Sequence, residues 1–192
     1  KDYIIFSDQI KSYFLDRKGN ERLKPKKYFL ASKNNKFILD QSNSVSRFVT
    51  TDTAGNIVSV YPDGDIEITA IKNFSSNHFF DFQDIDKDGR KDYIFLDNNN
   101  LEIFSQNLKK LFNFEFNTKL KYGLYIYDFG QSEMKIGLIS EEMKEIYLID
   151  SNGQLYKGFP LKGITPFSIG FLKKKGEKFN LIVGSDDNFL YN

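Results

Sequence analysis

The stretch Asp84-Ile85-Asp86-Lys87-Asp88-Gly89-Arg90-Lys91-Asp92 carries the most specific pattern in the chain, D-x-D-x-D-G-x-x-D. Three carboxylates at alternate positions can turn toward one point, and Gly89 permits the sharp bend that keeps them there. The carbonyl of Arg90 and the carboxylate of Asp92 can close the shell. Calcium takes about 6–8 oxygen ligands in a flexible loop. The stretch therefore predicts a Ca²⁺ site with ligands from Asp84, Asp86, Asp88, Arg90 and Asp92.

The residues on either side of this stretch favour strands. Phe79-Phe80-Asp81-Phe82 precedes it and Tyr93-Ile94-Phe95-Leu96 follows it, and both runs are short and rich in aromatic and aliphatic residues. An EF-hand loop lies between helices and carries a bidentate Glu at its twelfth position, which here is Phe95. The pattern therefore predicts a calcium loop that joins two strands of a hairpin. The alternative is a solvated acidic β-turn that binds no ion.

The composition excludes several classes of protein. Lys and Arg number 27 and Asp and Glu 26, so the net charge of +1 lacks the basic excess of an electrostatic nucleic-acid binder. The chain has no Cys, which excludes disulfides, zinc–thiolate sites and thiol nucleophiles. No apolar run is long enough to span a bilayer. We therefore expect no nucleic-acid partner and no membrane insertion.

A strand pattern recurs about every 45 residues along the chain. Its anchor segments begin at Tyr3, Phe48, Tyr93, Ile136 and Leu181. Further short strands, such as Leu155-Tyr156 in the fourth unit, and turns rich in Asp, Asn and Gly follow each anchor, which gives four strands per period and no convincing helix. Four-stranded antiparallel units at this spacing are typical of propeller blades. The sequence therefore predicts an all-β fold, a complete or partial β-propeller.

The loop and the repeat together resemble the FG-GAP/VCBS repeat of integrin-type β-propellers. In that family such a loop joins the innermost strand of a blade to the second strand. The resemblance implies that the family's calcium ligands fall on Asp84, Asp86, Asp88, the Arg90 carbonyl and Asp92. The C-terminal run from Leu155 to Tyr191 also looks like the last blades of large exported bacterial propeller proteins. The resemblance thus implies an extracellular, cell-surface or periplasmic location.

The other repeats depart from the family pattern at this loop. An offset of 45 residues places Leu39, Gln41 and Asn43 at the positions of the three alternate aspartates. The fourth unit has the short segment 129–133 without an acidic triplet, and the fifth has Lys173-Lys174-Lys175-Gly176 where the family has carboxylates. We therefore expect one calcium loop in this chain.

The phase of the repeat predicts how blades divide the chain. We expect one propeller segment over residues 1–192. Its three complete blades would lie at about 33–73, 77–117 and 122–161, and its two incomplete blades at 1–30 and 165–192. The chain would then be the C-terminal part of a larger propeller. Its exposed edge strands would be open to association with other chains.

No motif in the sequence assembles a catalytic site. His78, the only histidine, is expected at a strand start near the channel or the surface, without a nucleophile placed beside it. Glu141-Glu142 falls in a turn, where solvated acids are usual. The sequence therefore favours a calcium-stabilised, non-catalytic interaction or scaffold module whose partner is an unidentified protein or glycan.

Two other functions stay open. One is a propeller-borne enzyme of the lyase or hydrolase type, with its site in the central channel or in blades outside this chain. The mainly aromatic inner strands argue against a channel site here. The other is a purely structural spacer or a secretion-associated C-terminal module.

Overall fold

The computed structural model describes residues 2–8, 10–34, 36–42, 44–120, 122–130, 134–170, 180–185 and 190–191. Within these ranges the regular secondary structure consists of β-strands, and no helix is present. No helix in this part of the chain is therefore long and apolar enough to cross a membrane.

The strands form five antiparallel sheets in which each strand pairs with its neighbours in sequence. The two outer sheets have three strands each: β1 (Ile4–Ser7), β2 (Ser12–Leu15) and β3 (Glu21–Leu23) in the first, and β16 (Ser168–Gly170), β17 (Asn180–Gly184) and β18 (Leu190–Tyr191) in the fifth. The second and third sheets have four strands each: β4 (Ile38–Asp40), β5 (Arg47–Thr51), β6 (Ile57–Val60) and β7 (Ile66–Thr69), then β8 (Phe79–Gln83), β9 (Asp92–Asp97), β10 (Asn100–Phe104) and β11 (Lys110–Glu115). The fourth sheet contains β12 (Tyr125–Asp128), β13 (Met134–Ser140), β14 (Glu145–Asp150) and β15 (Leu161–Lys162).

This architecture confirms the predicted fold class, an all-β chain of antiparallel blades that forms a partial β-propeller. One predicted strand was wrong. Leu155-Tyr156 was expected to be the last strand of the fourth sheet, but Leu155 makes only an isolated bridge to Ile149. The sheet's last strand is β15, which pairs with the start of β14. A turn at Tyr156–Phe159 separates the bridge from this strand.

The hydrophobic core lies between the sheets. Four clusters of buried side chains occupy the four interfaces between successive sheets. Strand β9 shows how a single strand serves two of them, because alternate residues point to opposite faces. Tyr93 and Phe95 pack toward the second sheet, whereas Ile94 and Leu96 pack toward the fourth. The aromatic residues therefore form contacts between blades.

Candidate metal centre

The loop 84–91 connects β8 to β9 at one end of the third sheet. Strand pairing brings Gln83 opposite Asp92, and the rings of Phe82 and Tyr93 stack beside them with centroids 5.0 Å apart. Within the loop, the side chain of Ile85 is fully buried in the core between the third and fourth sheets. The loop is therefore anchored at its base and at its second residue. Residues 86–90 face solvent, whereas Asp84 and Lys91 are half-buried.

Three of the predicted ligands come together in this loop. Asp84, Asp86 and Asp88 each present a carboxylate oxygen, and these oxygens lie within 4.8 Å of one another. Backbone N–H groups fix the carboxylates: Gly89 donates to Asp84 Oδ2 at 3.0 Å, and Asp88 donates to Asp86 Oδ1 at 3.2 Å. Gly89 has φ +89°, a conformation that favours glycine. The bend predicted at Gly89 is thus present.

The fourth predicted carboxylate lies next to this group but outside it. Asp92 is the first residue of β9, is almost fully buried, and accepts a hydrogen bond from the Ile85 N–H at 3.0 Å. Burial, together with the charges of the three loop aspartates, raises the pKa of Asp92 to about 6 against the pull of that hydrogen bond. Arg90 is exposed, and its N–H donates to Asp88 Oδ1 at 2.8 Å.

The donor set suits a hard divalent cation. Every side chain offered is a carboxylate, the ligand type that calcium prefers. Asp84 Oδ1 is buried and has no hydrogen-bond partner in the protein, which is costly unless another group satisfies it. A cation between Asp84, Asp86 and Asp88 would pair with this oxygen and would offset the repulsion that raises the pKa of Asp92. The residues present therefore fit Ca²⁺.

Two lysines connect the loop to the sheets on either side. Lys87 Nζ lies 3.1 Å from the carboxylate of Asp128 at the end of β12. Lys91 Nζ donates to the backbone carbonyl of Leu39 in β4 at 3.2 Å. The loop thus contacts the fourth sheet through Lys87, near its middle, and the second sheet through Lys91, its last residue. The sequence pattern gave no sign of these contacts.

In the equivalent hairpin of the second sheet, between β4 and β5, an arginine side chain pairs with a buried aspartate. Asp40 and Arg47 face each other across β4 and β5, and Arg47 Nε donates to the buried Asp40 carboxylate at 3.1 Å. Although burial opposes ionisation, hydrogen bonds from Ser42 and Arg47 keep the pKa of Asp40 below its usual value. Arg47 occupies the strand position that Asp92 occupies in the third sheet.

This hairpin corrects the predicted alignment of the two loops. The fixed offset of 45 residues placed Leu39 at the first ligand position, but Leu39 lies inside β4 and pairs with Phe48. The reason is length: residues 41–46 connect β4 to β5, whereas residues 84–91 connect β8 to β9. The prediction that the second hairpin lacks the acidic triplet does not depend on this alignment. Residues 131–133 and Lys173-Lys174-Lys175-Gly176, the other two predicted hairpin segments, lie outside the described residues.

His78 has a structural environment that the sequence did not reveal. It directly precedes β8, as expected of a strand start, but it is fully buried and not at the surface. Its Nδ1 donates to the Ser75 carbonyl at 2.6 Å, and its Nε2 lies 2.8 Å from Thr51 Oγ1 in the second sheet. The ring also packs at 5.8 Å from that of Phe95. His78 therefore joins the second and third sheets.

The chain is similar in structure to solved proteins of low sequence identity. No protein-family model matches the sequence, and no curated protein matches it. Among solved structures, the chain is similar to a Bacteroides caccae protein of unknown function, with a TM-score of 0.51 and 9% identity over 83% of this chain and 57% of that one. It is also similar to BBS1N in complex with ARL6DN, with a TM-score of 0.46 and 10% identity over 98% of this chain and 73% of that one. The chain thus spans 57% of the length of the Bacteroides caccae structure, and that likeness concerns the fold alone.

Proposed function

We propose that the chain is part of a calcium-stabilised β-propeller of the FG-GAP/VCBS type, which serves an exported or cell-surface protein as a non-catalytic interaction module. One Ca²⁺ would bind in the loop between β8 and β9. Its ligands would be Asp84, Asp86, Asp88, the Arg90 carbonyl and Asp92.

The observation that carries the proposal is the environment of Asp84. Its Oδ2 is held by the Gly89 N–H, while its buried Oδ1 has no partner and belongs to a group of three converging carboxylates. A solvated acidic turn would leave its carboxylate oxygens in water, where they need no ion. An enclosed oxygen beside two other carboxylates gains most from a bound cation.

The bound calcium would have a structural role and would stabilise the hairpin of β8 and β9. It would neutralise the carboxylates at the loop and fix the hairpin whose lysines contact Asp128 and Leu39 in the neighbouring sheets. Extracellular calcium modules bind with dissociation constants of about 10⁻⁴–10⁻³ M, which match the calcium levels outside cells. An exposed loop of this kind would therefore be filled in an exported protein. The interaction role rests on the stacked blades, whose loops and edges provide surface for a partner.

Calorimetric titration of Ca²⁺ into the chelator-treated protein tests the proposal, together with melting curves. We expect one ion per chain and a stabilisation of about 1.4 kcal/mol at a tenfold excess of calcium over Kd. Asp86→Ala should abolish both effects. Asp63→Ala is the matched control, because Asp63 also accepts the N–H two residues ahead in an exposed turn. Absence of binding at millimolar calcium, or equal loss in both variants, would reduce the loop to an acidic turn.

A further inference from the structure

A polar cavity lies at the other end of the third sheet from the calcium loop. Its volume is about 310 Å³, at the lower end of the roughly 300–1,000 Å³ range of small-molecule sites. Phe79, the first residue of β8, and Asp97, the last residue of β9, mark this end of the sheet. The remaining walls come from the segments that precede β4, β8 and β12 and from the turn after β9. The cavity therefore brings together three successive blades.

Hydrogen bonds between these segments hold the cavity in shape. Asn34 Nδ2 donates to the Asn77 carbonyl at 2.6 Å, and the backbone of Asn34 bridges to Phe79. On the opposite side, the Leu120 N–H donates to the carbonyl of Asn98 at 2.9 Å. Asn98 Nδ2 donates to Asp97 Oδ1 at 3.1 Å, which holds the Asn98 side chain in place. The segments that line the cavity are thus held in place before any ligand arrives, which lowers the entropic cost of binding.

The aspartate that lines the cavity has hydrogen-bond partners, whereas the two lysines that line it have none among the described residues. Both Asp97 oxygens accept hydrogen bonds from Ser75, one from its N–H at 2.9 Å and one from its hydroxyl at 2.5 Å. Lys33 and Lys119 also line the cavity, and the ammonium group of neither has a hydrogen-bond or ion-pair partner among the described residues. Two lysines against one satisfied aspartate leave an excess of one positive charge, which fits a ligand with one negative charge.

The uncharged groups indicate the rest of the ligand. Asparagine amides offer both donors and acceptors, which suits vicinal hydroxyl groups, and Asn34, Asn77 and Asn98 all line the cavity. The half-buried ring of Phe79 adds an apolar surface beside them. We propose that this cavity binds a carboxylated sugar, with its carboxylate between Lys33 and Lys119 and its hydroxyl groups on the asparagines. A phosphate group would carry more negative charge than the excess of one positive charge that the two lysines leave after Asp97 is counted.

This site is separate from the calcium loop, because the five residues of β8 lie between them. The inference goes beyond the proposed calcium-dependent role and does not require it. A protein that binds no calcium could still bind the sugar. Conversely, Asp86→Ala should lose the calcium response and keep sugar binding, so that the two proposals can fail independently.

NMR titration of the whole chain with sodium glucuronate and sodium galacturonate tests the inference, with glucose, acetate and inorganic phosphate as comparison ligands. We expect at least one uronate to bind with Kd of about 1 mM and at least tenfold more tightly than the other three, because only it engages both the lysines and the amides. Resonances of residues at the Phe79 end of β8 should shift, and those of the loop 84–91 should not.

Variants assign the binding to the cavity. Lys33→Ala and Lys119→Ala should each weaken uronate binding about 5–10-fold through loss of a charge-assisted contact. Lys27→Ala, which removes an exposed lysine outside the cavity, should leave it unchanged. These lysines are exposed, so the variants should keep the wild-type melting temperature. Uronate binding no tighter than that of acetate or phosphate, or equal weakening by all three variants, would overturn the inference.

Discussion

At the scale of single residues, Leu108 holds a backbone conformation that glycine holds at equivalent positions. The turns after β2, β6, β10 and β14 share a five-residue hydrogen-bond pattern, in which the fourth N–H donates to the first carbonyl. The fourth residue is Gly19, Gly64 and Gly153 in three of them and Leu108, with φ +61°, in the other. An L-residue in this region costs about 1–2 kcal/mol.

Leu108→Gly should therefore stabilise the protein. Leu108 is 37% exposed and belongs to none of the four core clusters, so its side chain contributes little that glycine would lose. We expect the free energy of unfolding in urea to rise by about 0.5–1 kcal/mol, since the flexibility of glycine offsets part of the relieved strain. Gly19→Ala is the reverse control. Its new Cβ meets no atom within 4 Å, so only the backbone conformation opposes it, and it should lower stability by about 1 kcal/mol. A decrease with Leu108→Gly would contradict the assignment of strain.

Asp92 gives the stability of the ion-free protein a specific pH dependence. Its carboxyl has a pKa of about 6 in the folded chain, because of burial and the three nearby aspartates, against an ordinary value of 3.8. Between these values the folded state binds more protons than the unfolded state. Stability should therefore fall as pH rises from about 4 to 6, by about 2–3 kcal/mol from this group.

Urea unfolding of the wild type and of Asp92→Asn, from pH 4 to pH 7.5 in calcium-free buffer, isolates this contribution. Carboxylates with lowered pKa values, such as Asp40, act in the opposite direction in both proteins and cancel in the difference. Asn can still accept the hydrogen bond from Ile85. We expect Asp92→Asn to be the more stable protein at pH 7 without calcium, and saturating calcium to reverse that order. Parallel curves for the two proteins would show that Asp92 ionises normally.

At the scale of elements, short-range patterns determined what the sequence could predict. Short runs rich in aromatic and aliphatic residues located the strands on both sides of the loop 84–91, because these strands supply side chains to the cores on both faces of their sheet. The spacing D-x-D-x-D-G predicted the bend and the convergence of Asp84, Asp86 and Asp88, because both are decided within nine residues. These features depend on neighbours in sequence and were therefore accessible before the structure.

Features that depend on segments far apart in the sequence could not be predicted from short-range patterns. The cavity beside Phe79 needs segments before β4 and β12 that only stacking brings together. The pair of Asp40 and Arg47 depended on a hairpin with a shorter connection, which a fixed offset of 45 residues misaligns. One signal was present in the sequence: an arginine stands where the third repeat has Asp92, so a positive charge could have been expected to replace a metal ion there. Strand register, and not repeat length, is the correct basis for such a comparison.

At the scale of the whole molecule, stability is shared between adjacent sheets, because the cores lie between sheets and not within them. A hydrogen bond also connects the second and third sheets, which the hydrophobic core already holds together. Thr51 Oγ1 in β5 hydrogen-bonds His78 Nε2, which directly precedes β8, and both residues are fully buried. The preceding residue of the same strand, Thr50, is also fully buried, but its hydroxyl has no hydrogen-bond partner.

Two isosteric substitutions in one strand therefore distinguish the effect of losing a contact between sheets from the effect of changing a buried side chain that makes no such contact. Thr51→Val removes the hydrogen bond to His78 Nε2 and a longer one, at 3.3 Å, to the Ser32 hydroxyl, and should lower the free energy of unfolding by about 1–3 kcal/mol. Thr50→Val removes an unsatisfied buried hydroxyl and should be neutral or stabilising by up to about 1 kcal/mol. If the sheets unfold as one stack, far-UV circular dichroism and tyrosine fluorescence should give a single coincident urea transition for both variants. Two separated transitions in Thr51→Val would instead mean that this boundary divides the chain into independent units, and equal effects of the two substitutions would mean that the contact with His78 contributes nothing.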